Sequence, residues 1–412
     1  MRRVLSLAGL AIALALIVRS AFPMEPGLDY FTDAGGAIDS LVRWDWRGFA
    51  ANPPLMGPAS LYLRAPFVWP VFAESEQVVY MAGALPCLAA VVALGFYLRR
   101  RMLALAKPEH AATLVAVLCL LNPGTFRSIH WGHPEELLAG ALCVGAVLAG
   151  IRSRTVLAGL WLGLALATKQ WAVIAILPTL LALDTGWRSR AGAAALAFAI
   201  VATLYAPMVI GNPGRFSDTQ TTAANVSADA GGSATEVGVA NVWWPTASKK
   251  SDEERRASVS GFAYKQPATV GRLTHPLAVL AGVPLAFVFW RRRRPVEAAL
   301  GLLALAMLLR CVLDPWNNDY YHAPFLLGLL AWEGIARDGW PRLTLFASAA
   351  LVVCFPPSAR SMTELSADAA WVTIPYLIWA LPLAGYLAVA VLFPEWLERR
   401  RAAWTRTTVQ VK

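Results

Sequence analysis

With 412 residues of which 57% are apolar and only 15% charged, the chain lacks the polar surface of a soluble domain, where about 25% of residues are charged. A net charge of +10 would suit a nucleic-acid ligand in a soluble protein. Here, however, the arginine clusters directly flank apolar stretches, which makes them topology signals of a membrane protein and argues against nucleic acid as a partner.

Apolar runs able to cross a bilayer as helices are expected at 4–22, 78–98, 111–123, 135–151, 155–168, 170–184, 191–211, 273–290, 295–313, 323–336, 342–356 and 372–393, about 12 in all. The runs 111–123, 155–168 and 170–184 are short enough to be tilted, broken or re-entrant. Arg2 and Arg3 ahead of the first run have the charge of a signal peptide. That run is longer than a typical signal core and its small-residue cleavage signature is poor, so it is expected to stay as a helix. With the N-terminus inside and alternating spans, Arg99 to Arg101, Arg152, Arg154, Arg188, Arg190, Arg291 to Arg294, Arg337, Arg342 and the tail from Arg399 all fall on the inner side. The expected architecture is all-α, a polytopic transmembrane bundle forming one integral membrane domain over 1–412. Both termini would be cytoplasmic and the host membrane a bacterial plasma membrane. The cysteines Cys87, Cys119, Cys143, Cys311 and Cys354 all lie in apolar runs and read as packed core thiols.

Two loops on the outer side are long. The first, 23–77, carries Asp29, Asp33, Asp39 and Asp45 soon after the first span. It also holds Trp44, Trp46, Tyr62, Phe67 and Trp69, a mixture suited to short helices lying in the membrane interface. The second, 212–272, is rich in small residues up to Ala240 and reads as a lid or an acceptor-contacting loop.

Three polar constellations fall on that same side. Asn122 to Glu136 includes His130, His133, Glu135 and Glu136. The glutamates suit the first turn of a helix through its macrodipole, and the spacing matches no helical metal motif, so no metal is expected. Lys169 and Gln170 sit where two apolar runs meet, and no other lysine occurs between Lys107 and Lys249. Arg310 lies about one turn inside an apolar run and needs an anionic partner, Asp314 or a lipid phosphate. It leads into Asp314, Asp319, Tyr320, Tyr321 and His322, a richer polar turn than a connection requires. A carboxylate at a membrane surface can act as general base toward a hydroxyl, and cations there can stabilise a phosphate leaving group. The inner loops are short and basic, with no nucleotide-binding glycine motif, which argues against a cytosolic sugar-nucleotide donor.

These features resemble the polytopic GT-C glycosyltransferases, in particular the polyprenyl-phosphate-mannose-dependent group typified by glycosyltransferase family 87. Asp33 with Gly48 and the Pro53-Pro54 segment leading to Pro66 resembles the family's first-loop aspartate, glycine and proline-rich stretch. Trp131-Gly132-His133-Pro134-Glu135 is similar to its Gly-Gln-x-Asn helix start, with His and Glu in place of the amides. Gly159 to Pro178, containing Thr168-Lys169-Gln170, resembles its glycine-containing helix and lysine turn, and Asp319 to His322 with Pro324 its late aromatic turn. The resemblance implies an inverting transfer of a sugar, mannose above all, from a polyprenyl-phosphate donor to a lipid or glycan acceptor on the outer face. Asp33 would be the general base with His322 beside it, Asp45 and Asp29 being alternative bases. Lys169 and Arg310 would hold the donor phosphate. His130, His133, Glu135, Gln170, Asp319, Tyr320 and Tyr321 would contact substrate, and no cofactor is implied beyond the lipid-linked donor. A lipid or solute transporter, or a cell-envelope acyltransferase or ligase, would use some of the same features. A transporter, though, predicts charges along a midplane path and repeated halves, and no repeat is visible.

Overall fold

The computed structural model describes residues 29–184, 186–224, 234–257, 263–355 and 369–400. The expected span 4–22 and the tail beyond residue 400 lie outside them. Helices dominate, and among the described residues the one sheet is small, three antiparallel strands in the order β1-β3-β2. These are β1 (Ala234–Val237), β2 (Ser248–Lys249) and β3 (Tyr264–Pro267).

The first loop folds into three short helices, α1 (Asp29–Val42), α2 (Trp46–Ala51) and α3 (Pro58–Val68). They bury a small apolar core of their own around Ile38, Phe49, Met56 and Leu61, which Met208 joins from a later helix. Trp44, Trp46, Phe67 and Trp69 stay exposed, the aromatic face anticipated for interfacial helices. Asp45 caps α2, its Oδ1 accepting from Gly48 N at 2.9 Å. Arg43 pairs with Asp39 at 2.9 Å, one helical turn back.

The bundle continues with α4 (Glu76–Ala104), α5 (Glu109–Leu120), α6 (Pro123–His130), α7 (Pro134–Ile151), α8 (Thr155–Leu166), α9 (Ile176–Ala182), α10 (Trp187–Gly211) and α11 (Pro213–Ala224). After the short α12 (Asp252–Ala257) come α13 (Ala268–Leu280), α14 (Gly282–Arg291), α15 (Ala299–Leu313), α16 (Ala323–Ala336), α17 (Arg342–Cys354) and α18 (Ala369–Leu392). Among the described residues, 6 helical segments are long and apolar enough to cross a membrane. This supports a multi-pass helical membrane protein, with fewer long spans among the described residues than the about 12 expected over the whole chain. Of the other expected spans, 4–22 lies outside the described residues, and 155–168, 170–184, 273–290, 323–336 and 342–356 form shorter or broken helices, the first two meeting at Lys169 as expected.

Of the long helices α7 is the most enclosed and α10 the least. Two glycines set the close contacts that bring the loops together. A Cβ on Gly57 would lie 2.2 Å from the Ala167 carbonyl oxygen, and one on Gly124 would lie 2.7 Å from the Ala323 backbone. Gly57 N therefore reaches the Thr168 carbonyl at 3.0 Å, and the first loop docks on the turn that carries Lys169.

Part of the second long loop is tied to the bundle. Gly238 N donates to Pro315 O at 2.8 Å and Val242 N to Val312 O at 3.1 Å. Asn317 Nδ2 donates to Ala240 O at 2.6 Å, and Ala240 N to Thr373 Oγ1 at 3.0 Å. The stretch 238–242 is thus a strap over the α15–α16 turn, not a segment free of it.

Candidate active site

The site begins with α7. Pro134 occupies the first helical turn, where its missing N–H costs nothing, and Gly132 with φ 84° turns the chain from α6 into it. Glu135 and Glu136 follow at once. A carboxylate there is favoured by the helix dipole, but both are buried, and a buried charge needs partners.

The partners come from four other segments. Glu135 takes Arg64 of α3 at 3.2 Å, Lys169 at 3.0 Å and His133 Nδ1 at 3.0 Å. Glu136 takes Lys169 at 3.4 Å, the Trp171 indole N–H at 3.1 Å and, as a looser charge contact, Arg310 at 3.7 Å. Arg310 lies between the rings of Trp171 and Tyr321, 4.7 and 4.3 Å from their centroids. Arg64 is wholly buried beneath Tyr30, whose ring centroid is 4.7 Å away. A third pair, Arg127 with Asp319, joins α6 to the late polar turn, and the Trp131 indole N–H also reaches Asp319 at 3.3 Å.

His133 links this network to the first loop. Its Nε2 is 3.0 Å from Asp29 and its Nδ1 3.0 Å from Glu135, while its ring stacks on Tyr320 at 4.3 Å. Burial disfavours the imidazolium, but hydrogen bonds to two carboxylates outweigh it and push the pKa up to about 9. With an acceptor on each side, both ring nitrogens donate.

Asp33 is half-buried on α1. Burial raises its pKa, while the charges of His133 and Lys169 pull it partly back and those of Asp29 and Glu135 push it up. Its placement is fixed through Leu55, whose N–H donates to the Asp33 carbonyl at 3.1 Å and whose own carbonyl accepts from Gln170 Nε2 at 3.1 Å. The Pro53-Pro54 segment thereby spaces the Asp33 helix from the Lys169 turn.

The anticipated residues are divided by the structure. Asp33, Asp29, His133, Glu135, Lys169 and Gln170 come together around the start of α7, with Arg310 reached through Glu136. His130 ends α6 with its ring 5.1 Å from Trp131. His322 is not beside Asp33. It is fully buried, with Nδ1 3.1 Å from the Asp319 carbonyl and Nε2 2.9 Å from the Tyr376 hydroxyl. Burial and the nearby Arg310 hold its pKa down at about 4, so it is a neutral ring supporting the Asp319 turn. The imidazole whose charge acts on Asp33 is His133. Arg310 meets Glu136 before Asp314. Lys169 is not an unoccupied cation either: burial works against its charge, but Glu135, Glu136 and Asp33 outweigh this and raise its pKa.

Sequence reasoning missed Arg64, Arg127, Trp171 and the central position of Glu136. Arg64 carries the signal that singled out Arg310, a guanidinium set among apolar residues. Among the described residues no group of three or more His, Cys, Asp or Glu is arranged to hold a metal ion.

No curated protein matches the chain. Similar solved structures include the archaeal oligosaccharyltransferase AglB from Archaeoglobus fulgidus in complex with an inhibitory peptide and a dolichol-phosphate, at 14% identity and a TM-score of 0.45. The apo form of the Archaeoglobus fulgidus oligosaccharyltransferase is similar at 16% identity and a TM-score of 0.41. Each comparison covers 93% of this chain, which spans only 56% of the oligosaccharyltransferase. The profile described as glycosyltransferase family 87 matches residues 55–315, a range that holds Arg64, Arg127, Glu135, Glu136, Lys169 and Arg310. The chain is a multi-pass membrane protein that belongs to glycosyltransferase family 87.

Proposed function

We propose that the protein transfers a sugar, mannose in the first instance, from a polyprenyl-phosphate donor to a hydroxyl of a lipid or glycan acceptor at the outer face of the membrane. The observation that carries this reading is the half-buried Asp33 carboxylate. It is held on an interfacial helix beside His133 and Lys169, with its basicity raised by burial. A carboxylate made more basic is a better proton acceptor, provided it is ionised at the working pH.

In the proposed reaction Asp33 takes the proton of the acceptor hydroxyl. The acceptor oxygen then forms its bond to the anomeric carbon as the bond from that carbon to the phosphate oxygen breaks. The polyprenyl phosphate leaves with the electron pair, and a single displacement inverts the anomeric configuration. Charge grows on the phosphate during this step, and fixed donors in a dry site stabilise it. Among the described residues, Arg310 Nη1 and Arg127 Nη2 are buried with no hydrogen-bond partner, and phosphate or sugar oxygens are acceptors of the kind they lack. Lys169, already shared between Glu135 and Glu136, has the further task of keeping the cluster neutral and moderating Asp33. His133 and Glu135 position Asp29 and Lys169 around the same space.

The test is transfer from radiolabelled polyprenyl-phosphate-mannose by the purified full chain, wild type against Asp33→Asn. Loss of transfer with donor binding retained supports the assignment. An Asp33→Asn protein that keeps most of its turnover while Asp29→Asn is inactive moves the base to Asp29.

A further inference from the structure

We infer that the face of the bundle between α4, α7 and α8 holds an anionic phospholipid of the leaflet opposite the Glu135–Glu136 cluster. A groove of about 340 Å³ runs there. Its walls are almost wholly apolar, including Leu94, Leu142, Leu148 and Trp161, and Arg152 and Arg154 also line it. Among the described residues no acidic one lines it. Both arginines are exposed, and Gly145 leaves the ring of Trp161 open to the groove, its absent Cβ lying 3.7 Å from that ring.

The dimensions select the occupant. From Leu142 to Arg152 the α7 wall rises about 15 Å at 1.5 Å per residue. That is half of the roughly 30 Å hydrocarbon core, the depth of an acyl chain in one leaflet, and a polyprenyl chain would overrun it. Arg152 also lies about 25 Å along α7 from Glu135, so a phosphate held there is remote from the proposed chemistry. Here the two cations line an apolar channel of acyl depth, the arrangement that suits one phosphate with its chain.

The experiment compares phosphatidylglycerol with phosphatidylcholine on the detergent-purified full chain by native mass spectrometry, and needs no enzyme activity. The wild type is expected to retain phosphatidylglycerol at a concentration at least about ten-fold below that needed for phosphatidylcholine, a difference of about 1.4 kcal/mol. The double variant Arg152→Gln/Arg154→Gln should lose this preference, and Gly145→Leu should displace both lipids by filling the groove. Because both arginines are exposed, the double variant remains a fair test if Gly145→Leu fails to fold, with size-exclusion elution as the check. Equal retention of the two lipids by the wild type overturns the inference. So does an undiminished preference in the double variant, or stronger retention of a polyprenyl phosphate than of phosphatidylglycerol.

Discussion

The two ends of α7 treat charge in opposite ways. At its start Glu135 and Glu136 are buried and engaged by Arg64, Lys169, His133 and Arg310. Just past its end Arg152 and Arg154 are exposed and need no protein partner to hold their charge. Taking an ion out of water costs several kcal/mol, which only close opposite charges and hydrogen bonds offset. The exposed end is consistent with orienting a helix in a membrane. The buried end requires five chain segments to converge, and such convergence prearranges charges where a reaction could use them.

The largest effect that would break this contrast is on turnover. Asp33→Asn is expected to lower transfer by about 10²–10⁴-fold, the usual contribution of a general base, whereas Asp45→Asn, which keeps an N-cap side chain as good as aspartate, is expected to leave both stability and turnover near wild type. Radiolabel transfer and thermal unfolding of both variants check this. Because burial raises the Asp33 pKa in the folded state, its ionised form weakens folding above that pKa. Asp33→Asn should therefore unfold at a slightly higher temperature than wild type at pH 7, and a lower one would show that its carboxylate is net stabilising.

Next comes the buried network itself. Glu135→Gln leaves Arg64, Lys169 and His133 facing a neutral amide, and removing one partner of a buried pair costs about 3–5 kcal/mol. Denaturant unfolding in detergent measures it. A change below about 1 kcal/mol would mean that water, and not Glu135, compensates these cations.

A smaller effect is expected from pH. The His133 pKa is raised to about 9 from 6.5, so its stabilisation is full below 6.5 and is lost as pH rises through about 9. Thermal stability should fall between pH 7 and 9.5, by less in His133→Gln, and identical pH profiles would remove the doubly donating imidazolium from the account. The smallest effect belongs to the exposed pair of Arg43 and Asp39. Arg43→Gln should change stability by no more than about 0.5 kcal/mol, which sets the baseline for Glu135→Gln.

Much of the membrane architecture was legible because it follows from local composition. Apolar runs, flanking arginines and interfacial tryptophans each act through a few neighbouring residues, and so α4, α7 and α10 lie where the runs 78–98, 135–151 and 191–211 placed them. The broken pair around Lys169 was legible as well, as two short runs that meet there, while the expected span 4–22 lies outside the described residues. The polar constellations were visible as residues out of place in apolar sequence, Lys169 and Arg310 above all. Their pairing was not visible. Arg64 and Glu135 are 71 positions apart and Arg127 and Asp319 are 192 apart, and no local rule links such distant residues.

By itself, then, the sequence determined that this is a helical membrane protein with polar turns set between its apolar runs, since hydropathy and charge act over one helix at a time. Only the tertiary structure decided which turns meet, which histidine lies near enough for its charge to act on Asp33, and that Glu135 and Glu136 form the centre. Those outcomes depend on close backbone contacts such as Gly57 on Ala167 and Gly124 on Ala323. They set how far each buried charge stands from its partner, and at low dielectric that distance governs the interaction.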